Sequence, residues 1–357
     1  MNYIVLNGIK STSVNGLLIQ SLPPITKPLM RTQIDVIDGR DGDLITPLGY
    51  SAYDKELSIG LHGNFNINAV ISYFTSSGSV IFSNEPDKVY KYTIYEQIDF
   101  EKLIRFKTAT VKLHVQPFKH SATDAVVNAN YQLIDFADAI KTEDGVTAAI
   151  SDGVISVSGT AAAATEIYMP ILALSAAAGE YILRAFASGT GAENVKLRLI
   201  TAAPADAFGG GEITLVNGEV GSISGTLAAA ATYNYLYFAV AAGTCNFTLN
   251  VQFTAADPVP LLISNNGNTV SKPRITVYGC GSVSLYLNGS QILIMEIGAD
   301  GYITIDVAAL DAYNGITLKN RSVTGDYNAL SLPVGINTIT ATGMVTRISV
   351  TDYSRWV

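Results

Sequence analysis

Tyr233-Asn234-Tyr235-Leu236-Tyr237-Phe238-Ala239-Val240 alternates tyrosines with other side chains at a period of two. In an extended chain successive side chains point to opposite faces, so Leu236, Phe238 and Val240 share one side and Tyr233, Tyr235 and Tyr237 the other. The aliphatic side suits a core. The tyrosine side offers rings that stack on sugars and hydroxyls that bond to sugar OH groups. The plainer and commoner use of such tyrosines is to pair with neighbouring strands or line a second sheet.

The same period recurs outward from this stretch in both directions. Toward the start it groups Leu57, Ile59 and Leu61, then Val80 and Phe82, then Tyr90, Tyr92 and Ile94, then Val111, Leu113 and Val115. Other instances are Val154-Ile155-Ser156-Val157, Val195-Lys196-Leu197-Arg198-Leu199, Ile275-Thr276-Val277-Tyr278, Val283-Ser284-Leu285-Tyr286-Leu287, and Ile336, Thr338 and Thr340. Turn signals interrupt the runs every 8–12 residues or so, roughly the spacing of β-sandwiches. One segment departs from the pattern. Ile67, Val70, Ile71 and Phe74 fall at helical spacing, which predicts a helix capped by Asn64 or Asn66 and stopped at Ser77-Gly78. Asp38-Gly39-Arg40-Asp41-Gly42-Asp43 predicts a tight turn or an exposed hairpin tip, since Gly and Asp tolerate turn geometry. Ser156-Val157-Ser158-Gly159-Thr160 and Ser222-Ile223-Ser224-Gly225-Thr226 are alike, which reads as similar hairpin chemistry rather than duplication.

Across 357 residues, 48% are apolar and 15% charged, the composition of a globular chain of two or three domains. Nineteen tyrosines against the single Trp356 favour strands and binding surfaces. A net charge of −8 argues against a nucleic-acid groove and against an anionic membrane surface. Residues 1–128 carry 12 acids and 12 bases, residues 129–257 carry 12 and 4, and residues 258–357 carry 6 and 6. The middle block is also alanine-rich. It reads as an inserted domain between two neutral flanks, bordered by the small, polar Ser121 to Asn128 and by the stiff exit Asp257-Pro258-Val259-Pro260. Met1 to Lys10 lacks the marks of a signal peptide, and the apolar run Ile167 to Gly179 is too short to span a bilayer.

Catalytic and metal signatures are sparse. Cys245 and Cys280 form no CxxC and read as buried apolar side chains. His62, His114 and His120 are far apart in sequence, with His120 expected in a linker, so no metal is expected. Gly279-Cys280-Gly281-Ser282 is expected in a turn between strands and lacks the helix of a nucleophile elbow, and Gly209-Gly210-Gly211 has no lysine after it. Glu143-Asp144 and Asp135 with Asp138 read as loop carboxylates, although paired carboxylates of a glycosidase are neighbours in space rather than in sequence.

In order along the chain, several groups of residues in the first and last blocks form a specific series. The first block contributes Ile37-Asp38-Gly39-Arg40-Asp41-Gly42, Tyr53-Asp54, the Ile67 to Phe74 segment, Val80 to Tyr90, and Val111 to Phe118. The last contributes Ile263 to Gly267, Ser271 to Gly279, Val283 to Gly289, Asn320-Arg321, Gly325-Asp326-Tyr327, Gly335-Ile336-Asn337, Gly343 to Thr346 and Trp356. The series resembles the distal tail protein (Dit) family of long-tailed siphophages.

That resemblance implies a mostly β chain in three parts. Residues 1–124 would be a ring-forming β-sandwich with one helix and a hairpin. Residues 129–257 would be an inserted jelly-roll-like, carbohydrate-binding-like sandwich, and residues 258–357 a galectin-like sandwich. It implies a homohexameric ring at the distal end of the virion tail, meeting the tail tube, the tape-measure protein and tail-tip or baseplate proteins, with no enzymatic activity and no cofactor. The hairpin around Gly39, Arg40, Asp41 and Gly42 is the expected ring contact, and Tyr233, Tyr235 and Tyr237 are the expected contact to host cell-wall saccharide. Two other classes stay open: a tail-associated glycosidase, and a secreted three-sandwich adhesin, for which no export signal is visible.

Overall fold

The computed structural model describes all residues except 137, 138, 152, 202–205, 258 and 299. Asp138 and Pro258, read above as a loop carboxylate and part of the exit, lie outside the described residues. Strands dominate, and among the described residues there are two α-helices, neither long and apolar enough to cross a membrane.

Among the described residues three large hydrophobic cores follow one another along the chain, and a small fourth cluster of Phe186, Cys280 and Met344 joins the middle block to the last. The first gathers Ile4, Leu57, Val80, Tyr90 and Val111 from the strands of one sheet. Helix α1, Ile67–Tyr73, is capped by the Asn66 side chain, which accepts from the Ala69 amide at 3.2 Å. Val70 and Phe74 of the expected face are buried and Ile67 packs against the core, while Tyr73 is buried in place of Ile71, which stands outside. A second helix, α2, Phe100–Phe106, corrects the expectation of one helix. Asp99 caps it, accepting from the Lys102 amide at 2.8 Å, and left-handed Lys107 ends it. His120 lies in the strand Thr108–Ser121 and not in a linker, because the alternation of Val111, Leu113 and Val115 carries the strand past Phe118.

The middle core is enclosed by two sheets. Eight strands follow in chain order: Val154–Ala161, Thr165–Ala176, Gly179–Thr190, Lys196–Ile200, Ile213–Thr214, Val220–Leu227, Ala231–Val240 and Gly243–Ala255. The first, eighth, third and sixth are neighbours in one sheet, and the second, seventh, fourth and fifth in the other. That order is a jelly roll. The hairpin Ala139–Glu143 and Val146–Ser151 extends the first of these sheets.

The third core is built around two long paired strands, Arg274–Leu287 and Gly335–Thr351. Gly279-Cys280-Gly281-Ser282 is not a turn. It lies inside the 14-residue strand, at register shifts flanking Gly279 and Cys280, where Gly281 adopts φ 70° and the strand changes partners. Residues 127–130, partly assigned to the insert by charge, hydrogen-bond to Arg347–Val350, and Tyr131 sits in the third core. Alternate Val127, Ala129 and Tyr131 supply the apolar face that draws them there. The strand Arg355–Trp356 returns to the first sheet, pairing with His120 and Lys119.

Candidate functional site

The tyrosine strand does not present one tyrosine face. Along the Ala231–Val240 strand, Tyr235 pairs with Pro170 but Tyr233 pairs with Leu174, so the partner strand makes a bulge of extra residues between them. A bulge breaks the period of two and re-aims the side chains beyond it. Tyr233 turns inward, where its ring meets Phe208 and Phe253 at centroid distances of 6.2 and 6.0 Å. Leu236, Phe238 and Val240 join the core as the alternation requires. Tyr235 is 37% exposed, while Tyr237 points outward under a cover of neighbours and is 7% exposed.

Those neighbours form the outer face of the four-stranded sheet. Tyr168, Tyr237 and Arg198 stand directly opposite one another on three strands. The tyrosine rings meet edge to face at 5.1 Å, and the Arg198 guanidinium lies 5.8 Å from the Tyr237 ring. Arg198 Nη2 donates to Glu212 at 2.6 Å, and Lys196 Nζ lies 2.9 Å from the same carboxylate. Arg198 and then Lys196 hold the Glu212 carboxyl below its usual range. Burial, followed by the hydrogen bond and charge of Glu166, pushes the Tyr237 hydroxyl up to about 12. The Tyr168 hydroxyl donates to Glu166 at 3.3 Å. This arrangement suits binding through aromatic edges and charged hydrogen-bonding groups. Tyr168, Glu166 and Glu212 escaped the sequence reading, although the outward positions of Lys196 and Arg198 follow from the alternation of Val195 to Leu199.

Gly39, Arg40, Asp41 and Gly42 do form the tip of a hairpin, made by Met30–Val36 and Asp43–Tyr50. Gly39 and Gly42 take φ 84° and 77°, in the left-handed region that glycine enters at little cost. The two strands pair only with each other and are exposed almost throughout. Leu29, Met30, Ile34, Val36, Ile37, Leu44, Ile45 and Leu48 all stand in solvent.

A polar cluster pins the base of the hairpin. Buried Lys55 donates from Nζ to the Pro24 carbonyl at 2.7 Å, and Asn84 donates to the Pro23 carbonyl at 3.0 Å. Lys119 Nζ lies 2.8 Å from Glu85, which also accepts from the Tyr90 hydroxyl. Burial, helped by Lys119 and opposed by Glu85, pushes the Lys55 ammonium down to about 8. Among the described residues no group of three or more His, Cys, Asp or Glu side chains gathers as a metal site would require.

No protein-family model and no curated protein matches the chain. Among solved structures it is similar to the SPP1 Dit protein, described as a paradigm of the hub adsorption apparatus in phages infecting Gram-positive bacteria. The identity is 12%, the coverage 100% of both chains and the TM-score 0.44. It is also similar to a chain of the phage P2 baseplate in its activated conformation with Ca, at 8% identity, covering 100% of this chain and 98% of that one, with a TM-score of 0.41.

Proposed function

We propose that the chain is a structural hub protein of a phage tail. Six copies close into a ring at the distal end of the tail, between the tail tube with its tape-measure protein and the tail-tip or baseplate proteins. The hairpin carries this reading. Its apolar side chains stand in water on a two-stranded sheet that pairs with no other strand among the described residues. A monomer seldom leaves such a surface uncovered, and closing a ring requires a heterologous contact of this kind. The residues resembling the Dit family place a hairpin at this position.

The three cores support a division into a ring domain to residue 124, a jelly roll from about residue 132 to 257, and a galectin-like sandwich of residues 258–357 that also takes Val127–Asn130. The jelly roll serves adhesion to host cell-wall saccharide, with Tyr168, Tyr235 and Tyr237 as its exposed or near-surface rings. Light scattering and negative-stain images of the full-length protein should show a six-fold ring. A strict monomer at every concentration, with no ring in images, refutes the hub reading.

A further inference from the structure

Asn130, Arg347, Tyr278 and Tyr302 stand directly opposite one another on four adjacent strands of the last sandwich. With strands about 4.8 Å apart the row is roughly 14 Å long, the reach of two or three linked pyranose rings. The Tyr278 and Tyr302 rings lie 5.5 Å apart and are inclined by 35°. The Arg347 guanidinium rests 3.9 Å from the Tyr278 ring centre.

The jelly roll forms the facing wall with Asp135, Phe136, Val154 and Asn250, and a cleft of about 770 Å³ separates the two. A second hollow of about 410 Å³, lined by Asn128, Asn130 and Arg347, adjoins the cleft at Tyr278 and Thr346, which line both. This volume is that of a small-ligand site, and junctions between domains are where such sites concentrate.

The polar groups sort into those already committed and those available. Lys319 pairs with Asp300, and Gln132 bonds the Val251 carbonyl and the Phe253 amide. Asp135 on one wall and Arg347 on the other are exposed, and neither has an ion-pair partner among the described residues. One charge of each sign leaves the groove without a preference for a strongly charged ligand. Each makes strong, charge-assisted hydrogen bonds to neutral hydroxyls. Tyr278 is already stacked by Arg347, so the Tyr302 ring beside it is the one that accepts the C–H face of a sugar ring.

We infer that this groove binds a neutral oligosaccharide of two or three rings, as a site separate from the outer face of the jelly roll. The ligand class rests on the adhesion reading above, and the location does not. The test applies full-length protein to an array of neutral hexose, deoxyhexose and N-acetylhexosamine di- and trisaccharides. Hits are then titrated against wild type, Tyr302→Ala, Asp135→Asn and Tyr235→Ala, with thermal melts to confirm folding. Binding in the high-micromolar to millimolar range is expected. Tyr302→Ala should weaken it about tenfold and Asp135→Asn about fivefold, each a larger loss than Tyr235→Ala causes. If Tyr302→Ala melts early, the exposed Asp135→Asn carries the test alone. Binding lost in Tyr235→Ala and intact in both groove variants overturns the groove and keeps adhesion. No binding to any member at about 10 mM overturns both, while the ring images judge the hub reading separately.

Discussion

Tyr233 and Tyr235 are two positions apart and differ in nearly everything that surrounds them. Tyr233 fills space between Phe208 and Phe253, so Tyr233→Ala should cost about 3 kcal/mol or more, as large aromatic truncations in cores do. Tyr235→Ala at the surface should change stability by about 0.5 kcal/mol or less. Urea unfolding of the two variants checks the difference, and equal losses would contradict the bulge. Lys55 makes a pH prediction. The unfolded chain keeps this proton up to the ordinary 10.5 and the folded chain releases it near 8. Between those values the unfolded state binds more protons, so the Lys55 contribution makes stability rise with pH. Denaturation midpoints at pH 7 and 9.5 should show a gain on the order of 1 kcal/mol, which Lys55→Met removes.

At the scale of elements the hairpin invites the most direct perturbation. Ile34 and Ile45 are paired across it and both exposed. Ile34→Asp with Ile45→Asp should leave the melting temperature nearly unchanged and shift the light-scattering mass from ring to monomer. An unchanged assembly would show that the ring forms elsewhere. Much of the element layout was legible in the sequence wherever one side of a strand faces a core, because burial imposes the period of two. Leu57 to Leu61 and Val111 to Val115 are of this kind. Helix α2 was not legible by period, since its seven residues bury only Leu103; the cap at Asp99 and the Glu101–Arg105 pair four residues apart were its local signals. The Tyr233 face and the strand through Gly279 to Ser282 were misread for one reason. Bulges are set by what lies across the ladder, and a single strand's own pattern does not record them. The Tyr302–Tyr278–Arg347 row depends on pairing between strands far apart in the chain.

For the molecule as a whole, charge and composition draw the insert from residue 129, and strand pairing cuts across that border. Val127–Asn130 completes the last sandwich, so cutting before it would strip the host of a strand. Gln132 lies beside the outgoing strand, bonded to Val251 and Phe253, which places the two ends of the jelly roll together. A chain with residues 133–259 replaced by a short Gly/Ser linker should therefore fold cooperatively and still assemble. A calorimetric trace lacking a single sharp transition would count against an independent jelly roll.

The return of Arg355–Trp356 to the first sheet changes how the two flanking domains relate. Arg355 packs its guanidinium 3.4 Å from the Phe118 ring centre, Lys88 sits 3.5 Å from the Trp356 ring centre, and the Ser354 amide donates to Asp124. Gly267 lies so close beneath this strand that an added Cβ would overlap the Arg355 carbonyl oxygen. One covalent link between bodies is a swivel with three rotational freedoms. A second attachment, here the ladder to His120 and Lys119 beside the linking segment, restricts them, so tilt of one domain is handed on to the other, as a gate with two pintles passes a push to its post.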